Sequence, residues 1–275
     1  MSNSRSKMFD PKSKKCINIA LDLGVFGDRS FAKGIENLAT ALPQILAGKP
    51  DVIQLNPGGL KIFNKLKLKT NVAIALRLDV TNVYEARDID YAWDTANIAS
   101  LDLANDKNVA CVVLNLLNLD ENSRLQEQCI QNIQLVVAKC KKAAIPIMVE
   151  PLVMTAKAGA GSASVGDVNK IASLVRQAVE LGADIIKVDA TTPMSDFHQV
   201  VEIASGVPVL VRGGGQVTPR ELIERTRIAI DSGASGVVYG RNVVQHANPA
   251  KFIKSIRSIV HQDATVDEAM KILDK

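Results

Sequence analysis

Short apolar runs rich in Val and Ile alternate along this chain with longer stretches of helical period, and that alternation limits the fold more than any single motif. Strand candidates lie at 16–22, 52–55, 72–79, 109–115, 145–150, 185–189, 207–211 and 236–239. Helix candidates at 33–46, 121–144, 166–181 and 219–232 sit between them, and 249–259 follows the last strand. About eight strand–helix units in a chain of this length predict a (β/α)8 TIM barrel. A doubly wound open sheet is the alternative. It lacks support, because Gly24-Val25-Phe26-Gly27 after the first strand has the wrong spacing for a dinucleotide-binding fingerprint.

Composition fits strands buried on both faces. Hydrophobic residues make up 47% of the 275 residues and aromatics only 4%, so the interior must be aliphatic. Glycines end the helices in AVELGADI and AIDSGASGV just before the next strand, as C-caps do in repeating α/β units. A single barrel domain is expected over 15–275, with 1–14 a flexible segment. A last helix at 266–273 lies beyond the eighth unit, free to cap the barrel or join a subunit interface.

Several function classes drop out. No apolar run approaches the ~20 residues that span a bilayer, and the basic start, MSNSRSKMFDPKSKK, has no apolar segment behind it. The net charge of +4 is spread along the chain. Lys61, Lys65, Lys67 and Lys69 cluster without interleaved aromatics, which reads as a solvated helix face rather than a nucleic-acid site. Cys16, Cys111, Cys129 and Cys140 form no CxxC pair, so reduced thiols in a cytoplasmic protein are expected. His198, His246 and His261 share no strand end with an acid at ligand spacing, so no metal is expected.

The chemistry concentrates in strand six, where Asp184-Ile185-Ile186-Lys187-Val188-Asp189 sets one lysine among apolar neighbours. A buried amine is costly unless neutral or paired. Desolvation lowers its pKa, and a neutral amine attacks carbonyls to form a Schiff base. Pairing with Asp189 or Asp22 for structure is the competing reading. Alternation puts Asn18, Ala20 and Asp22 on one face of strand one, and Pro146, Met148 and Glu150 on one face of strand five. Asp22 and Glu150 therefore reach the same end of the barrel as Lys187. They serve either the proton transfers of imine chemistry or the neutralisation of the lysine. Arg77 and Asp79 face inward from strand three, as an ion pair across the mouth or as partners for substrate hydroxyls. Asn115, closing strand four, is a further polar candidate.

Strand seven ends in Arg212 and three glycines, Gly213, Gly214 and Gly215, and strand eight ends in Gly240-Arg241. Glycines allow close backbone approach to an anion, the start of a following helix favours one, and an arginine can clamp it. Many barrels bind phosphate in these two loops, although ordinary tight turns would also use glycine there. Arg212 either assists the phosphate or faces a neighbouring loop. The segment 155–164, TAKAGAGSAS, reads as a mobile lid or as an inert loop.

ADIIKVDATTP, PVLVRGGG and SGVVYGRNV resemble the Schiff-base (class I) aldolases of archaeal fructose-bisphosphate aldolase type, over roughly residues 15 to 260. The resemblance implies that Lys187 forms the imine, that Asp22 is the acid ending strand one, and that Gly213, Gly214, Gly240 and Arg241 hold a phosphate. It implies a homo-oligomer acting on a phosphorylated ketose or ketone without a cofactor. Three positions depart from the family pattern. Leu23 stands where relatives often have histidine, and Arg212 where serine or alanine is common. Glu150-Pro151 replaces a Tyr-Pro, which is similar to the tagatose-bisphosphate and sulfosugar-phosphate aldolases. The expected activity is metal-independent aldol cleavage or formation, with Glu150 handling the aldol hydroxyl. The alternatives are an acyl or ketol transferase of thiolase or transaldolase type, a sugar-phosphate-binding barrel without turnover, and an acid–base isomerase.

Overall fold

The computed structural model describes residues 7–86, 88–120, 122–157 and 161–274. Eight parallel strands close into a barrel: β1 (Cys16–Ala20), β2 (Val52–Leu55), β3 (Ala73–Arg77), β4 (Val109–Leu119), β5 (Ile147–Ala156), β6 (Ile185–Val188), β7 (Val209–Arg212) and β8 (Gly236–Tyr239). Neighbours pair in the order β4-β3-β2-β1-β8-β7-β6-β5, and β4 pairs with β5 to complete the ring. The TIM barrel read from the sequence is the observed architecture.

The period-2 pattern of each strand divides its side chains between two cores. Cys16, Ala20, Val52, Ala75, Cys111, Val113, Met148, Ile185, Leu210 and Val238 fill the barrel interior. Ile17, Ile19, Ile53, Ile74, Val112, Val149, Ile186 and Val237 point outward against the helices. Burying each such aliphatic side chain contributes about 1.5–3 kcal/mol. All four cysteines are buried and free, with thiol pKa values pushed up by burial.

The helices are α1 (Leu38–Leu46), α2 (Pro57–Leu66), α3 (Ser123–Ala143), α4 (Val168–Glu180), α5 (Phe197–Ile203), α6 (Pro219–Asp231), α7 (Arg241–Val244), α8 (Pro249–Gln262) and α9 (Val266–Asp274). Short polar side chains start most of them: Asn37, Asn56, Asn122, Asp167, Thr218 and Asn248 accept backbone N–H groups of the first turn. The Asn37 cap places the start of α1 later than the expected residue 33. No described helix is long and apolar enough to cross a membrane.

Several boundaries differ from the sequence reading. β1 stops at Ala20, and Asp22 follows it at the start of a short 3₁₀ turn, Leu23–Phe26. β3 stops at Arg77, and Asp79 opens a separate antiparallel pair formed by Asp79–Thr81 and Asp94–Ala96. β4 and β5 run past Asn115 and Glu150, so neither residue ends its strand. Their pairing continues from Asn115↔Glu150 to Leu119↔Met154. Pro151 fits inside β5 because β6 pairs with that strand only at Met148 and Val149. In the stretch read as a mobile lid or an inert loop, 155–164, Ser162–Ser164 pair antiparallel to residues 154–156. Its residues 158–160 lie outside the described residues. The described residues ahead of β1 begin at Lys7. Among them Met8 is fully buried, and it packs with Phe9 into the interior cluster.

Candidate active site

Lys187, Glu150, Asp22, Arg212, Gly213, Gly214, Gly240 and Arg241 line one cavity at the ends of the strands. Lys187 leaves β6 near its end, flanked in the barrel wall by Ile186 and Val188. Its Nζ donates to Glu150 Oε2 at 2.8 Å. Burial pulls the amine below its ordinary pKa; Glu150 resists that shift, and Arg77 adds to it. The carboxyl of Glu150 moves the other way. Burial would raise it, but Lys187, Arg77 and Arg212 overcome burial and hold it down at about 2.

Arg77 joins the acids beneath the cavity. Its Nε donates to Asp22 Oδ2 at 2.5 Å, Nη1 to Asp79 Oδ1 at 2.7 Å and Asn115 Oδ1 at 2.9 Å, and Nη2 to Glu150 Oε2. Arg77 and Asp79 thus form an ion pair, one of the two arrangements expected for them, and neither is among the described residues lining the cavity. Asn115 is a strut as well: its backbone N–H donates to Asp79 and its Nδ2 to Asp94 Oδ2 at 3.0 Å. Burial raises the pKa of Asp79, and burial with the charge of Asp79 raises that of Asp94.

Arg212 is held more loosely than Arg77. Its Nε lies 3.3 Å from Asp189 Oδ1 and 3.6 Å from Glu150 Oε1, and its Nη2 donates to Tyr84 Oη at 3.3 Å. Burial raises the Asp189 carboxyl pKa although Arg212 opposes it. Arg241 opens the single-turn helix α7. Its Nη2 donates to Gly214 O at 3.3 Å and its guanidinium lies 4.1 Å from the Phe31 ring centroid. Burial lowers its pKa, and no ion pair to a carboxylate is formed by it among the described residues. The glycine loop between these arginines is stapled by Asn242. That side chain donates to Gly213 O and Gly215 O and accepts from Val217 N. Gly214 has φ +60, a conformation that favours glycine, whereas exposed Gly215 lies outside the cavity lining.

Sequence reasoning missed Phe26, Phe31 and Tyr84, which line the cavity together with Leu23. It also missed Gln54, whose Nε2 donates to Asp22 Oδ2 at 2.7 Å. The signal for Gln54 was available: a lone polar residue inside VIQL, the same pattern that singled out Lys187. Nothing local marks Tyr84, which arrives from the loop after the Asp79–Thr81 strand.

Residues 16–246 match the model of the family described as DeoC/LacD family aldolase. The chain is 32% identical over 272 residues to an uncharacterised aldolase of Saccharolobus solfataricus, covering 98% of this chain and 97% of that one. It is 29% identical over 272 residues to the 3-hydroxy-5-phosphonooxypentane-2,4-dione thiolase of Escherichia coli, covering 99% and 86%. Among solved structures, a Schiff-base-forming fructose-1,6-bisphosphate aldolase superposes with TM-score 0.77 at 22% identity, over 94% of this chain and all of that one. The family match over most of the barrel, on a fold shared with that aldolase, places this chain in the DeoC/LacD aldolases.

Proposed function

We propose that Lys187 is the imine-forming lysine of an aldolase acting on a phosphorylated ketose or ketone. One observation carries the reading: a buried amine with a lowered pKa lines the cavity, 2.8 Å from a carboxylate. The neutral amine adds to the substrate carbonyl. Glu150, hydrogen-bonded to it, takes the proton that the nitrogen loses. Loss of water leaves a protonated imine, which draws electrons from the adjacent carbon–carbon bond. Asp22 assists by fixing Arg77 against Glu150 and by facing the cavity beside the amine.

The phosphate is assigned to Gly213, Gly214, Gly240 and Arg241, supported by the cation of Arg241 that has no ion-paired acid among the described residues. Gly215 belongs to the turn rather than to the ligand. Cytoplasmic, homo-oligomeric action on a free metabolite, with no cofactor, nucleic acid or membrane partner, completes the reading.

A second reading is acyl or ketol transfer from the same imine. It is favoured by the full-length similarity to a thiolase, whose named compound is a phosphorylated dione. Borohydride reduction with dihydroxyacetone phosphate, followed by mass spectrometry, tests the shared step. An adduct on Lys187 in wild type and none in Lys187→Ala is expected. Equal labelling of both proteins overturns the assignment. Product analysis with and without coenzyme A then separates lyase from transferase.

A further inference from the structure

Glu150 is poorly placed to serve every proton transfer in such a reaction. Its Oε2 accepts from Arg77 and Lys187, and its Oε1 faces Arg212 at 3.6 Å. Asp22 is similarly engaged, since its Oδ2 accepts from Arg77 and Gln54. Held at about 2, the Glu150 carboxyl carries no proton at neutral pH to give to an alkoxide. Arginines do not release protons, and Lys187 is consumed in the imine. Among the side chains lining the cavity, Tyr84 is the one that offers an O–H.

The protein builds a rigid seat for that phenol. The Tyr84 ring meets Phe26 and Phe31 edge-on, with centroids 5.2 and 5.4 Å away. Glu85 N and Ala86 N both donate to Asn82 O at 2.9 Å, closing the loop. Gly161, in the hairpin that extends β5, donates to Ala86 O at 2.8 Å. Gly161 has φ +72, and a Cβ there would stand 2.0 Å from Tyr84 O. The hairpin therefore packs its backbone directly against the tyrosine's own. Arg212 approaches the phenol oxygen from β7 and would stabilise the phenolate left behind.

We propose that Tyr84 is a catalytic residue that exchanges a proton with the aldol oxygen, a role resting on the imine reading of Lys187. In the condensation direction the enamine carbon attacks the aldehyde carbonyl. The enamine π pair becomes the new carbon–carbon bond, and the nitrogen lone pair re-forms the iminium. The carbonyl π pair moves to oxygen, which takes the Tyr84 proton and leaves a phenolate beside Arg212. Water then hydrolyses the iminium, freeing the amine, and the proton released returns to the phenolate. Cleavage runs the same steps backward.

The test compares wild type, Tyr84→Phe and Arg212→Gln. Each is assayed for borohydride trapping of dihydroxyacetone phosphate and for its condensation with glycolaldehyde, glyceraldehyde and glyceraldehyde 3-phosphate. Tyr84→Phe keeps the ring and its edge contacts, and circular dichroism checks the fold. The expected result is trapping equal to wild type with condensation slowed by roughly 10²–10⁴-fold in kcat. Arg212→Gln, which keeps the phenol and removes its cation, should slow the same step while still trapping. Condensation by Tyr84→Phe within threefold of wild type overturns the role. So does a misfolded Tyr84→Phe accompanied by an Arg212→Gln enzyme of unchanged condensation rate. Wild type that traps the ketone but condenses no aldehyde removes the step and overturns the role, leaving the imine intact. Wild type that traps nothing overturns the imine reading and this role with it.

Discussion

Glu150 Oε2 accepts hydrogen bonds from both Lys187, at 2.8 Å, and Arg77, so one carboxylate oxygen is shared between the proposed nucleophile and a second buried cation. Each cation has a different duty. Arg77 stays charged because three acids surround it, while Lys187 must lose its proton to act as the proposed nucleophile.

The first prediction concerns the pH limb of imine formation. The neutral amine attacks, so trapping accelerates as pH rises through the Lys187 pKa. Glu150 is the main influence opposing the downward pull of burial on that amine. Glu150→Gln therefore moves the rising limb toward lower pH. Borohydride trapping rates across roughly pH 6 to 10 check it, a range set by the ordinary lysine value. An unmoved limb would separate the carboxylate from the amine's protonation.

The same carboxylate links stability to acid. Its folded pKa of about 2 lies below the ordinary 4.5. A depressed carboxyl contributes stability that is present above the unfolded value and lost as pH falls through the folded one. Wild type should therefore lose its advantage over Glu150→Gln as pH drops from 4.5 toward 2. Urea unfolding of both proteins along that series is the measurement.

Arg77 carries the largest expected stability effect. Removing it leaves Asp22, Asp79 and Glu150 buried without their shared partner. Arg77→Met should destabilise the barrel by about 3–5 kcal/mol, the cost of breaking a buried ion pair from one side. Arg77→Lys should recover only part of this, because an ammonium cannot reproduce the fork that reaches three acids. Denaturant midpoints of the two variants test the order.

The parts of the site that follow from strand parity could be read in the sequence. Asp22, Glu150, Lys187 and Arg212 each lie on the inward face of a strand or just past its end, and period 2 alone brings them together. Gln54 obeyed the same rule. Strand ends were less legible, because β4 and β5 continue beyond the rim by pairing with each other, from Leu116↔Pro151 onward, and β5 also pairs there with Ser162–Ser164. Pro151 reads locally as a stop and becomes acceptable through its neighbours. Helix α2 was legible only as the helix face carrying Lys61 and Lys65, without bounds; the Asn56 cap and Pro57 at the first turn fix its start. Tyr84 had no local signal, because its position depends on loop packing against Gly161 and the Phe26–Phe31 pair.

The last prediction tests the anion site through Arg241. Its guanidinium lies over Phe31, and its polar contact is a backbone carbonyl, that of Gly214. A half-buried cation with no ion-paired acid among the described residues is desolvated without full compensation, and a phosphate would supply that compensation. Arg241→Ala should weaken inorganic phosphate binding by roughly 10- to 100-fold, the value of a charge-assisted contact. In turnover it should raise KM for phosphorylated substrates while kcat changes little, since Lys187, Glu150 and Tyr84 keep their places. Calorimetric titration of inorganic phosphate into both proteins reads the first effect directly. Unchanged affinity would move the phosphate to Arg212, the other arginine lining the cavity, and Arg212→Gln would then carry the loss instead.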